Sequence, residues 1–109
     1  MFPRKAIKNL PLSVVDTTTL SAVNWTLIDN GTLTKPCFAL KVSNYANQRV
    51  LISYDGTNAH DSSYPLLEWF IGPFNGYEFQ KGTKIYMKLL GASSGFIYLA
   101  KYYVEKSNT

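Results

Sequence analysis

A chain of 109 residues has room for one hydrophobic core, and its charged fraction of 17% is low against the roughly one quarter usual in soluble domains, so part of its 46% hydrophobic content is expected to meet a partner. The net charge of +4 comes from basic residues spread singly except for Arg4, Lys5 and Lys8, which excludes a polybasic tract, and the single Cys37 excludes an internal disulfide. No apolar run approaches the ~18 residues of a membrane span, and Met1 to Lys5 is not followed by the apolar stretch of a signal peptide; synthesis in the cytoplasm without a secretory signal is expected.

In chain order, residues 1–15 read as an extended N-terminal arm, because Pro3 and Pro11 oppose a helix, and residues 16–109 as one β-sandwich domain. Residues 14–19 are β-branched and predict a strand. A second is expected over 22–28, ending at the turn pair Asn30-Gly31, and the Asn-x-Thr triplets at Asn24 and Asn30 read as turn chemistry. Residues 38–43 alternate cleanly, with Phe38, Leu40 and Val42 on one face and Lys41 and Ser43 on the other. Residues 49–54 alternate again, with Val50, Ile52 and Tyr54 together, and stop at Asp55-Gly56.

Residues 66–71 are apolar on both faces, as in a buried strand or an aromatic surface. A short strand over 76–79 precedes a turn at Lys81-Gly82. Residues 83–90 set Ile85, Met87 and Leu89 opposite Lys84, Tyr86 and Lys88, and residues 91–95 form a small-residue turn. The final strand, 96–104, has Phe96, Tyr98, Ala100, Tyr102 and Val104 on one face. Ile97, Leu99 and Tyr103 lie on the other, interrupted by Lys101. Strand signals at spacings of roughly ten residues predict an all-β fold: a single antiparallel β-sandwich, jelly-roll-like or a small barrel, carrying the extended arm.

Chemistry is sparse. His60 has Ser62 and Ser63 nearby but no nucleophile elbow, and Glu68, Glu78 and Glu105 lie in separate strands, so no catalytic set is expected. Asp55, Asn58 and Asp61 are weak candidates for metal binding: they offer hard oxygen donors suited to Ca²⁺, yet their spacing is not that of an EF-hand and a β-turn selects the same residues. Cys37 reads as a small, partly buried residue, and residues 91–95 lack the Lys-Ser/Thr of a phosphate loop, so no cofactor is expected. The aromatics Tyr54, Tyr64, Trp69, Phe70, Phe74, Tyr77, Tyr86, Tyr102 and Tyr103 suit either a stacking platform or subunit contacts. The contact residues expected are Phe2, Arg4, Lys5, Lys8, Leu10, Trp69, Phe70, Tyr102 and Tyr103.

The order of these pieces resembles a group of small β-sandwich virion proteins of tailed bacteriophages. The likeness rests on Asn24-Trp25-Thr26-Leu27, then the loop from Asn30 to Pro36-Cys37 into Phe38-Ala39-Leu40-Lys41-Val42-Ser43-Asn44. It continues with Val50-Leu51-Ile52-Ser53-Tyr54-Asp55-Gly56, the loop to His60-Asp61, Lys81-Gly82-Thr83-Lys84-Ile85-Tyr86-Met87-Lys88, and Gly95-Phe96-Ile97-Tyr98-Leu99-Ala100-Lys101-Tyr102-Tyr103. The resemblance implies a non-enzymatic structural component of the virion, in the capsid (decoration), the head-tail connector or the tail. Its partners would be itself and other virion proteins, in a symmetric homo-oligomer or ring, with neither membrane nor nucleic acid. The chain departs from that pattern between Ser62 and Asn75, where Leu66-Leu67-Glu68-Trp69-Phe70-Ile71 is unusually aromatic. A second reading is a carbohydrate-binding module that uses an aromatic face, with Trp69 exposed, for attachment.

Overall fold

The computed structural model describes residues 4–72 and 78–107. Its strands are β1 (Arg4–Asn9), β2 (Ser13–Asp16), β3 (Thr26–Thr32), β4 (Ala39–Asn44), β5 (Val50–Ser53), β6 (Asp61–Ser63), β7 (Glu68–Ile71), β8 (Lys84–Leu89) and β9 (Phe96–Ser107). A single turn of 3-10 helix spans Thr17–Thr19, and there is no α-helix among the described residues. The strands form two antiparallel sheets. Sheet A runs β1-β9-β4-β7 with β2 also paired to β9, and sheet B runs β3-β8-β5-β6. The chain is an all-β sandwich, the class that its strand and turn spacing predicts.

Period-2 alternation puts the apolar rows of the two sheets face to face. Leu40 and Val42 of β4 and Ile97 and Leu99 of β9 are buried from sheet A, and Val50, Ile52, Ile85 and Met87 from sheet B. Each such side chain contributes roughly 1.5–3 kcal/mol on leaving water. At one corner the sheets are bracketed by Asn44, which is fully buried and fully partnered. Its amide nitrogen donates to the carbonyls of Gln48 and Ser63 (both 3.1 Å) and its oxygen accepts from Ala46 N (2.8 Å).

Two local expectations change. The strand expected over 14–19 ends at Asp16, whose carboxylate accepts from Thr18 N at 3.0 Å and caps the 3-10 turn instead. Asn30-Gly31, expected to be a hairpin turn, lies inside β3. Asn30 takes a φ of 57°, and the register against β8 slips between Leu27 and Thr32, the mark of a bulge. Gly31 permits it: a Cβ there would lie 2.6 Å from Ile28 Cγ1 and 2.9 Å from the Ile85 carbonyl oxygen. Phe38 also leaves the inward row expected of it, because the backbone bends there, just before β4 begins.

Residues 4–16 run antiparallel along β9. Four steps from Asn9 to Ser13 match three from Tyr102 to Leu99, so one extra residue bulges out around Pro11. Leu10 N still donates to the Lys101 carbonyl at 2.9 Å, while Pro11 has no N–H to pair. β4 stops pairing at Tyr102, and beyond it β9 has only β1 as a neighbour. The result is a two-stranded ribbon running out from the sandwich, in a molecule of 54 × 25 × 21 Å. The strand expected over 76–79 lies partly outside the described residues; Phe79 forms an isolated bridge with Cys37.

Candidate contact surface

The face of sheet A that points away from sheet B is unusually apolar. Residues paired across antiparallel strands share a face. The register therefore lines up Phe70, Lys41 and Ala100 in one row, and Glu68, Ser43, Tyr98 and Val14 in the next. Tyr102 pairs with Ala39 and Asn9, and Val104 with Ile7, on the same side. Ile7 is 70% exposed, Phe70 67% and Val14 50%. The rings gather in pairs: Phe70 and Tyr102 with centroids 5.9 Å apart, Phe38 and Tyr102 at 6.4 Å, Tyr45 and Tyr98 at 5.7 Å. An open depression of about 290 Å³ between these groups is lined by Leu12, Lys41, Ser43, Tyr45, Tyr98 and Ala100.

Charge on this face is largely internally compensated. Lys41 Nζ lies 3.6 Å from Glu68 Oε1, and Ser43 Oγ donates to Glu68 Oε2 at 2.9 Å. The Tyr102 phenol, then the Glu68 carboxylate, hold the Lys41 ammonium above its usual pKa. A half-solvated sheet usually shows polar residues outward. Here the outward row is largely apolar and exposed.

The expected contact residues divide. Phe70 and Tyr102 meet on this face, and Lys8 is exposed on β1. Trp69, adjacent to Phe70, points to the opposite side of β7 and packs edge-on against Tyr64, centroids 5.9 Å apart. Tyr103 turns inward and packs partly against the core, with the Lys35 ammonium 5.1 Å above its ring. Leu10 is not a surface residue: it is buried within the chain, because it follows Asn9 in register and lies opposite Lys101 on the inner face of the sheet. Phe2, Phe74, Tyr77 and the side chains of Arg4 and Lys5 lie outside the described residues. Ile7, Leu12, Val14 and Tyr45 join the face without having been singled out by sequence. The alternation of β9 put Phe96, Tyr98, Tyr102 and Val104 together, but which strands flank it is set by pairing across the whole chain.

The loop after β5 turns its polar groups on itself. Asp55 Oδ1 accepts from Thr57 N and Asn58 N (both 2.8 Å) and from Ser53 Oγ (3.0 Å), and Oδ2 accepts from Asn58 Nδ2 at 3.0 Å. These bonds, the Asn58 backbone bond first, hold its carboxyl well below the usual carboxylate range. Asp61 Oδ2 accepts from Tyr54 OH at 2.7 Å, and burial pushes that phenol above its ordinary value. The described residues hold no group of three or more His, Cys, Asp or Glu placed for a metal ion. His60 Nδ1 accepts from Tyr54 N at 3.1 Å, and its ring stacks on Tyr54 at 5.3 Å. This is turn chemistry in the sense that Asx side chains close on backbone N–H groups.

No helix among the described residues is long and apolar enough to cross a membrane. Comparison of the chain with protein-family models, with curated proteins and with solved structures yields no match in any of the three.

Proposed function

We propose that this chain is a non-enzymatic structural component of a tailed-bacteriophage particle, acting through contacts with copies of itself and with neighbouring virion proteins. The observation that carries the reading is the outward face of sheet A. A continuous band from Ile7 and Val104 through Tyr102 and Phe70 to Tyr98 and Val14 is apolar where solvent would favour polar residues. The resemblance in motif order supplies the particle, and the band supplies the means of joining it. Covering such a face removes apolar area from water, and ring or lattice symmetry multiplies one modest interface into a stable assembly.

The test has two arms. Light scattering of the purified chain is expected to show a defined oligomer, and the double variant Phe70→Glu, Tyr102→Glu a monomer with an unchanged circular dichroism spectrum. Mass spectrometry of particles released from cells carrying the gene is expected to find the chain at a stoichiometry of many copies. Absence from purified particles, or an oligomer indifferent to the double variant, would overturn the proposal.

A further inference from the structure

We infer that the groove between the outer edge of sheet B and Trp69 is a binding subsite for a neutral oligosaccharide. The groove, about 410 Å³, is lined by Arg49, Leu51, His60, Asp61, Ser62 and Trp69, with Ala59 at its rim. It is a shallow cleft broadly open to solvent, a shape that suits an extended ligand lying across it rather than an enclosed small molecule.

Trp69 is held in place before any ligand arrives. Its backbone is paired with Val42 in sheet A, and its indole, 40% exposed, abuts the Tyr64 ring at an interplanar angle of 89°. Tyr64 is fixed in turn by Arg49, whose guanidinium carbon lies 5.3 Å from the ring centroid and whose Nη1 donates to Tyr64 OH at 3.1 Å. The adjoining segment is tied down as well: Leu66 N donates to the Asn44 carbonyl at 2.7 Å and Asn44 N to Leu67 O at 3.1 Å. An aromatic plate that is rigid and half exposed loses little freedom on binding.

The polar lining matches the other half of a sugar. Asp61 uses Oδ2 to accept from Tyr54, and His60 uses Nδ1 to accept from the Tyr54 amide, so both side chains are fixed at the groove by bonds to one residue. A pyranose offers a C–H face, which suits an indole, and a rim of hydroxyls, which suit a carboxylate acceptor, a guanidinium donor and a serine hydroxyl. The lining holds one guanidinium, Arg49, and one carboxylate, Asp61, with Asp55 Oδ2 3.8 Å from His60 Nε2 behind it, so there is no cationic excess and a neutral ligand is favoured over a phosphate or polyanion. Because β7 sends Phe70 to one side and Trp69 to the other, assembly through the sheet A face leaves this groove open. The inference therefore stands apart from the assembly reading.

The experiment uses the variant Trp25→Phe, which leaves Trp69 as the sole tryptophan. Its fluorescence is titrated with maltohexaose, cellohexaose, chitohexaose, mannohexaose and, as an acidic arm, polygalacturonate. The indole Nε1 proton resonance of Trp69 in the wild-type chain provides a second readout that needs no variant. A saturable change with at least one neutral oligosaccharide is expected, weakened roughly tenfold or more by Asp61→Asn and, with binding read by isothermal titration calorimetry because the fluorophore is gone, by Trp69→Ala, in proteins of unchanged circular dichroism. No saturable response to any neutral member, a response only to polygalacturonate, or one that survives Trp69→Ala overturns the inference. Light scattering on the same samples reports assembly independently.

Discussion

Lys101 occupies the inner row of β9 between Leu99 and Tyr103, where alternation asks for an apolar side chain, and it is fully buried. Its Nζ donates to the Pro11 carbonyl at 2.6 Å and to Ser13 Oγ at 2.7 Å, and Ser13 Oγ donates onward to the Asp29 carbonyl at 2.7 Å. Burial lowers its pKa to about 8 from 10.5. Between those values the unfolded chain binds more protons than the folded one, so this group makes stability rise with pH across the window. The neutral amine keeps two N–H donors for its two acceptors. The thermal midpoint is expected to climb from pH 8 to about 9, by about 1 kcal/mol of added stability, above which the buried Cys37 thiol, held above its ordinary 9.0 by desolvation, opposes the rise. Lys101→Met should flatten that slope. Above the ordinary tyrosine value of 10.0 the trend reverses, since Tyr54 ionises later in the folded state than in the unfolded one. Calorimetry of both proteins over this range is the check, and identical slopes would refute the assignment. Sequence shows Lys101 only as an interruption, because its acceptor on Pro11 is 90 positions away.

At the scale of elements, the strands legible in sequence are those where period 2 is strict: β4, β5, β8 and β9. Asn30-Gly31 was misleading because one piece of chemistry, a backbone tolerant of positive φ, serves a bulge inside a strand as readily as a turn between two. The pairing of residues 4–16 along β9 is illegible for another reason: it joins the two ends of the chain. That pairing changes where truncation is safe. Loss of residues 1–12 exposes the core at Leu10 and removes the Pro11 carbonyl from Lys101, at a cost of about 3–5 kcal/mol. Among the described residues, loss of residues 1–8 removes only ribbon, from Arg4 on, and is expected to leave the urea midpoint close to that of the full chain. Ribbon amides should also exchange with deuterium far faster than those of β4, since an isolated two-stranded ribbon is marginal in water.

For the molecule as a whole, low charge pointed to a covered surface, and composition could say no more than that. Trp69 and Phe70 were both plausible contact residues, yet neighbours in a strand must face opposite ways, so only the fold assigns one to the outer face of sheet A and the other to a groove. Association through that face links stability to concentration. The thermal midpoint of the wild-type chain is expected to rise with protein concentration in a dilution series read by scanning calorimetry, and that of Phe70→Glu, Tyr102→Glu to stay constant. A wild-type midpoint independent of concentration would refute self-association through this face.

The bulge at Pro11 bears on how such an assembly can grow. From Arg4 to Asp16 the chain is the outermost strand on its side of sheet A, and an unbroken edge of that kind would recruit further strands end over end into fibrils. Pro11 supplies no N–H, and the register slips beside it. Hydrogen-bonded polymerisation is thereby discouraged at its starting point, and the proposed assembly would have to use the face of the sheet, where symmetry can close it at a finite size.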